Sequence, residues 1–141
     1  MNTFFSIITV SLNAGESLLK TIDSILIQDF QDFEIIIKDG FSNDGSYENI
    51  SEDEKILKLQ IKDTGIYDAM NQALEYTSGE YILFLNAGDY FYDSKVLNSF
   101  YDAIVSNNSP ELLYCDYTTT GLKEFVQSPI KLTSFYLNLT Y

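Results

Sequence analysis

The chain contains no histidine. That absence removes Ser-His-Asp and Cys-His catalysis and any His-ligated zinc site. Cys115 is the single cysteine, so no intramolecular disulfide can form, which fits a reducing cytosol. Basic residues are scarce: 8 Lys and Arg face 21 Asp and Glu, for a net charge of -13. Nucleic acid is excluded as a partner, because phosphate binding needs clustered cations. Electrostatic docking of these residues on an anionic membrane is excluded for the same reason. No stretch is long and apolar enough to span a bilayer. The start, MNTFFSIITVS, lacks the basic n-region and cleavage site of a secretory signal. Acid–base or metal chemistry must therefore use carboxylates, amides, hydroxyls or lysine.

What is present is enough for a core. The 141 residues are 45% hydrophobic, with 11 Tyr and 10 Phe, and their number suits one domain. Residues 4–10, FFSIITV, form a continuous apolar, β-branched run that reads as a strand buried on both faces. After the loop at Ser11–Gly15, ESLLKTIDSILIQ sets Leu18, Leu19, Ile22, Ile25 and Leu26 on one helical face. FEIIIK, 33–38, is a second buried strand. Strand, helix, strand without a hairpin turn is a βαβ unit with a right-handed crossover. DGFSNDGS, 39–46, is rich in turn residues. Further strands are expected at 56–61, 81–85 and 112–117, and helices at 67–76 and 95–105. The alternation predicts an α/β domain with a mostly parallel central sheet flanked by helices.

Ligands in such sheets bind beyond the carboxyl ends of the strands. Three polar clusters fall at such ends: Ser11-Leu12-Asn13, Asp39-Gly40 and Asn86-Ala87-Gly88-Asp89. Each has a plain reading. Asp39-Gly40 and Gly88-Asp89 are common turn dipeptides, and Asn13 can serve as a helix cap. Asp68 and Asn71 can be a solvated helix face. Cys115 reads as a small core residue. Convergence of three clusters on one edge favours a site.

FSIITVSLN, FEIIIKDGFSNDGS, DTGIYDAMNQAL and SGEYILFLNAGD, in this order, resemble the nucleotide-sugar-dependent glycosyltransferases of family 2. The resemblance runs from Phe5 to about Asp116 and implies a Rossmann-like GT-A domain over 1–117. Residues 118–141 would begin an acceptor-side region that is incomplete here. The resemblance implies that Thr9, Ser11 and Asn13 pack against the base and ribose of the donor. Asp39 is expected to accept from the uracil imide, a charge-assisted hydrogen bond. Asp63 and Gly65 would flank the nucleotide, and Asn86 and Gly88 would contact the ribose or diphosphate. Asp89 would hold a divalent cation, Mg²⁺ or Mn²⁺. The chain departs from the usual family pattern in three places. Gly40 and Phe41 replace an acid and a glycine, Met70 replaces an arginine, and Asn86-Ala87-Gly88-Asp89 replaces an Asp-X-Asp-Asp motif. The last is the form of an NAGD-type branch.

The implied reaction is inverting transfer of a sugar from a UDP-sugar to a saccharide or lipid-linked acceptor in bacterial surface polysaccharide synthesis. It would run in the cytoplasm or at the inner face of the membrane, with peripheral association through regions outside this chain. The general base is expected beyond Tyr141, since neither Asp116 nor Glu124 suits the role. A nucleotide-sugar-binding module without turnover is the alternative. A phosphoacceptor receiver domain with Asp39 as acceptor lacks the acidic pair it needs after the first strand. A dinucleotide enzyme lacks its G-x-G-x-x-G.

Overall fold

The computed structural model describes residues 3–113. The chain divides into two compact units, Met1–Leu97 and Asn98–Tyr141. The expected boundary at 117/118 and residues 114–117 of the expected last strand lie outside the described residues.

The first unit is built on four strands: β1 (Phe5–Ser11), β2 (Phe33–Asp39), β3 (Ile56–Gln60) and β4 (Tyr81–Phe84). All pairings are parallel, in the order β3-β2-β1-β4. Helix α1 (Glu16–Leu26) links β1 to β2, and α2 (Ile66–Leu74) links β3 to β4. The two crossovers run in opposite directions across the sheet. With right-handed connections their helices must lie on opposite faces. α2 covers the face of Ile8, Val10 and Ile36 through Ala69 and Ala73. The small residues at 69 and 73, one helical turn apart, let that helix approach closely. The other face carries Phe5, Ile7, Ile35 and Ile37, all buried.

β1 is buried along its whole length, as its unbroken apolar run requires. β4 differs. Among the described residues it stands at the end of the sheet order, and its Ile82 and Phe84 remain 42% and 43% exposed. Its ladder continues past Phe84, with Leu85 N–H donating to Ile8 O and Ala87 N–H to Val10 O. That extension carries the chain alongside the end of β1 and on to the Asn86–Asp89 turn.

The second unit begins within α3 (Val96–Ser106). Its Ile104 is buried. Positive φ at Asn108 and Ser109 ends the helical path, and Ser109 N–H closes back on Ile104 O at 2.9 Å.

Candidate functional site

The strand order reverses between β1 and β4, because β1 leads left to β2 while β4 arrives on the right. The carboxyl edge at such a switch point is where open α/β sheets bind ligands. The loops after β1, β2, β3 and β4 all meet this edge.

Two of the three expected clusters are joined through Ser42. Its N–H donates to Asp39 Oδ2 at 2.7 Å, and its hydroxyl donates to Asp39 Oδ1. The same hydroxyl accepts from Asn13 N–H at 2.8 Å. Asn13 Oδ1 accepts from Asn43 N–H at 2.9 Å. Asn13 thus ties the first loop to the second. It does not cap α1, whose N-cap is Gly15 without a side-chain cap. Asp44 takes over part of that task by accepting from Gly15 N–H at 2.8 Å. It also accepts from the Ser46 hydroxyl and N–H, which hold its carboxyl below the usual range. Asn13 reaches this position with φ of 50°, a left-handed conformation that asparagine tolerates.

Asp39 is fully buried. Besides Ser42 it accepts from Gln60 Nε2 at 3.1 Å. Three donors therefore converge on its two oxygens. Asp63 lies higher at the same edge. Its Oδ2 accepts from Lys38 Nζ in an ion pair, and its Oδ1 accepts from Gly65 N–H at 3.1 Å. A Cβ on Gly40 would sit 2.9 Å from Asp63 Oδ2 and 3.4 Å from Leu12 Cδ1. The glycine at this departure from the family pattern is explained: Asp63 fills the space a side chain would need. Gly65, at φ 143°, opens α2, and a Cβ there would meet nothing within 4 Å. Asp68 closes that turn, accepting from Thr64 N–H, the Thr64 hydroxyl and Gln72 Nε2. These bonds, led by Thr64 N–H, lower its carboxyl pKa.

The third cluster is held from α1. Thr21 Oγ1 accepts from Gly88 N–H at 2.9 Å, and Ser24 Oγ from Phe91 N–H at 3.2 Å. Gly88 has φ of 102°, which favours glycine, with open space before it. Asp89 is exposed, and its carboxylate has no hydrogen bond or ion pair among the described residues.

Three buried oxygens at this edge have no hydrogen-bond partner: Thr9 Oγ1, Ser11 Oγ and Asn86 Oδ1. Thr9 is wholly enclosed, whereas Ser11 and the residue Asn86 keep some exposure. Buried polar atoms are ordinarily satisfied, so three without partners near one sheet edge call for a cause. Among the described residues no group of three or more acidic or thiol side chains is gathered for a metal. One carboxylate at 89 and one uncommitted amide oxygen at 86 fit a smaller role. Mg²⁺ commonly takes one or two carboxylates and fills its remaining positions with phosphate oxygens and water.

Sequence reasoning missed Lys38, Ser42, Asp44 and Gln60, which organise the second loop, and Thr21 and Ser24, which hold the third. The signal for the last two was present: hydroxyls on the otherwise apolar stripe of α1.

Residues 6–125 match the family model of Glycosyl transferase family 2. A PGL/p-HBAD biosynthesis glycosyltransferase of Mycobacterium tuberculosis is 34% identical over 117 residues, covering 79% of this chain and 46% of that protein. The Escherichia coli UDP-Glc:alpha-D-GlcNAc-diphosphoundecaprenol beta-1,3-glucosyltransferase WfaP is 29% identical over 124 residues, covering 83% and 49%. The chain thus spans about half the length of these relatives. S. aureus TarS, crystallised with UDP-GlcNAc, shares the fold: TM-score 0.66 and 24% identity over 74% of this chain and 32% of that one. No helix among the described residues is long and apolar enough to cross a membrane.

Proposed function

We propose a function from one premise: the chain belongs to glycosyl transferase family 2, whose model matches residues 6–125. On this reading it forms the donor side of a glycosyltransferase and binds a UDP-sugar at the carboxyl edge of the sheet. The reaction is an inverting displacement. The acceptor hydroxyl oxygen attacks the anomeric carbon, the bond to UDP breaks, and the hydroxyl proton passes to a carboxylate base. The acceptor is a saccharide or a lipid-linked saccharide in surface polysaccharide synthesis. A relative named for UDP-Glc and a diphosphoundecaprenol-linked acceptor supports both choices.

The observation that carries the reading is the pair of uncommitted buried oxygens, Ser11 Oγ at the end of β1 and Asn86 Oδ1 in the segment that follows β4, on the two sides of the switch point. They suit the polar groups of a ribose diphosphate, and Gly88 leaves room for the phosphates. Asn13 and Asp39 act from beneath, by fixing the loop that meets the nucleotide, while Asp63 and Gly65 line its other side. Thr9 supports the floor. Asp89, with Asn86, would hold Mg²⁺ or Mn²⁺, which as a Lewis acid supplies charge neutralisation to the leaving diphosphate. The need is plain in the charge: a chain at -13 repels a diphosphate unless a cation intervenes.

Calorimetry of the 141-residue chain with UDP, with and without Mn²⁺, tests this. Binding strengthened by the metal is expected. Equal affinity in chelator would remove the metal from the reading, and no affinity for any nucleotide would remove the donor site. A binding module without turnover is the second reading, favoured by the single carboxylate at 86–89. Release of sugar or transfer from UDP-sugar would exclude it.

A further inference from the structure

A polar stripe runs down the buried side of α1. Thr21 and Ser24 lie on the helix, Gln28 lies just past its end, and all three are buried. Each side chain first bonds back to its own helix. The Thr21 hydroxyl donates to Ser17 O at 3.1 Å, the Ser24 hydroxyl to Thr21 O at 2.7 Å, and Gln28 Nε2 to Ser24 O at 3.0 Å. A hydroxyl has one proton to give. With that proton committed, Thr21 Oγ1 and Ser24 Oγ meet the neighbouring segment only as acceptors.

That segment is the chain that follows β4, and it runs beside α1 in the same direction. Gly88 N–H donates to Thr21 Oγ1, and Phe91 N–H to Ser24 Oγ. Gln28 fastens the far end, donating to Asp93 O at 2.6 Å and accepting from Leu97 N–H at 3.1 Å. The amide before Gly88 still belongs to the sheet, since Ala87 N–H donates to Val10 O. Gly88, with φ of 102°, is thus the corner where the chain leaves β1 and docks on the helix. Asp89 stands between the two amides that α1 holds. Its carboxylate has no hydrogen bond or ion pair of its own among the described residues, so the anchored backbone sets where it stands.

We infer that Thr21 is a positioning residue for cation binding: its locked hydroxyl fixes the corner at Gly88 and so places Asp89 against the diphosphate. The inference rests on the donor-site reading above, with its cation at Asp89. The loop offers one carboxylate where the usual family motif offers several, so placement counts for more than number. Ser24 supports the exit of the same turn. Gln28 acts further along, on the approach to α3.

The test is a Mn²⁺ titration of the 141-residue chain at fixed UDP, with urea unfolding of each variant alongside. Thr21→Val keeps the branched shape, removes the acceptor and strands Gly88 N–H. It should raise the Mn²⁺ concentration for half the gain in UDP binding about tenfold, the lower end of the range for groups that support metal ligands. Affinity in chelator should change far less. Thr21→Ser restores the acceptor and should restore the wild-type titration. Ser6→Ala is the matched control. It deletes another buried hydroxyl that accepts from a glycine amide, Gly79 N–H at 2.8 Å, at the opposite edge of the sheet. It should cost stability and leave the titration in place. If Thr21→Val does not fold, Thr21→Ala takes its place, because it leaves room for water at Gly88 N–H. A severalfold rise is then expected. The inference is overturned if the folded Thr21 variant titrates like wild type, or if Ser6→Ala shifts the titration as far, which would make the effect one of stability. A wild-type chain that binds UDP equally in chelator would overturn the cation at Asp89, and one that binds no nucleotide would overturn the donor site. Both differ from a titration that is present and unmoved.

Discussion

The two edges of the sheet are built from the same residue types and have opposite character. At the amino edge Ser6, Glu34, Ser78 and Gly79 form a closed network. The Ser6 hydroxyl donates to Glu34 Oε1 at 2.6 Å and accepts from Gly79 N–H at 2.8 Å. Glu34 also accepts from Ser78 N–H at 2.6 Å and from its hydroxyl at 3.0 Å. At the carboxyl edge the hydroxyl of the corresponding serine of β1, Ser11, has no partner among the described residues, nor do Thr9 Oγ1 and Asn86 Oδ1. One edge turns its polar groups on itself, and the other holds some in reserve. Stability and binding are therefore expected to separate by edge.

The largest effect should come at the amino edge. A Cβ at Gly79 would meet Ser6 N at 2.5 Å and Phe5 C at 2.8 Å, both backbone atoms of β1. Gly79→Ala should cost about 3 kcal/mol, the upper range for overpacking a well-packed site, read from urea unfolding. UDP affinity of the folded fraction should not change. A variant as stable as wild type would break the contrast at its firm end.

Asp39→Ala should come next. It strands Ser42 N–H and the Gln60 amide in a buried place, at about 2 kcal/mol. Its loss should appear in melting before it appears in choice of base. Asp89→Asn should do the reverse. The side chain is exposed and uncommitted, so the unfolding free energy should move by no more than about 0.5 kcal/mol, while the metal-dependent part of UDP binding disappears. Thermal melts with and without UDP and Mn²⁺ read both at once. A destabilised Asp89→Asn that keeps its metal-dependent shift would make Asp89 a turn residue.

The smallest effect is with pH. The carboxyls of Asp44 and Asp68 titrate below their ordinary 3.8 because backbone and hydroxyl donors favour the charged form. Such groups add stability above the unfolded value and lose it as pH falls through the lowered folded value. Melting temperature should therefore decline slightly below pH 3.8, and Asp44→Asn should flatten part of that decline. Both acids serve the carboxyl edge, so the decline should be shallower in the presence of a ligand that orders it.

The elements that read clearly in the sequence are those with a one-sided reason to exist. FFSIITV and FEIIIK could only be buried parallel strands, and the alternation of types set their connections. Observed bounds shift by one or two residues, as at β1, where Ser11 stays in register with Asp39. Exposure of β4 was hidden, because its composition matches a buried strand and its place at the sheet's end follows from topology alone. Within the site, turn dipeptides marked the right loops. They could not tell a committed carboxylate from an available one. Asp39 and Asp63 look alike in sequence, and their partners distinguish them: Ser42 and Gln60 for Asp39, and Lys38 and Gly65 for Asp63. Lys38 was unreadable for the same reason, since a lysine directly after an isoleucine run gives no sign of where its partner lies.

The strand order has a consequence in time. β1 is made first and sits between β2 and β4, yet Phe5 must find Tyr81. Pairing with β2 closes a short loop and can proceed early, whereas pairing with β4 waits until α1, β2, β3 and α2 have been synthesised. Until then β1 carries an open edge of unpaired backbone groups beside a mostly apolar strand, the kind of surface on which nascent chains associate wrongly. The Asn86–Asp89 turn arrives with the strand that removes this hazard. A nucleotide that needs both sides of the switch point can bind only after the hazard has passed, so occupancy would report completed pairing of β1 with β4 and, by mass action, hold β4 in place.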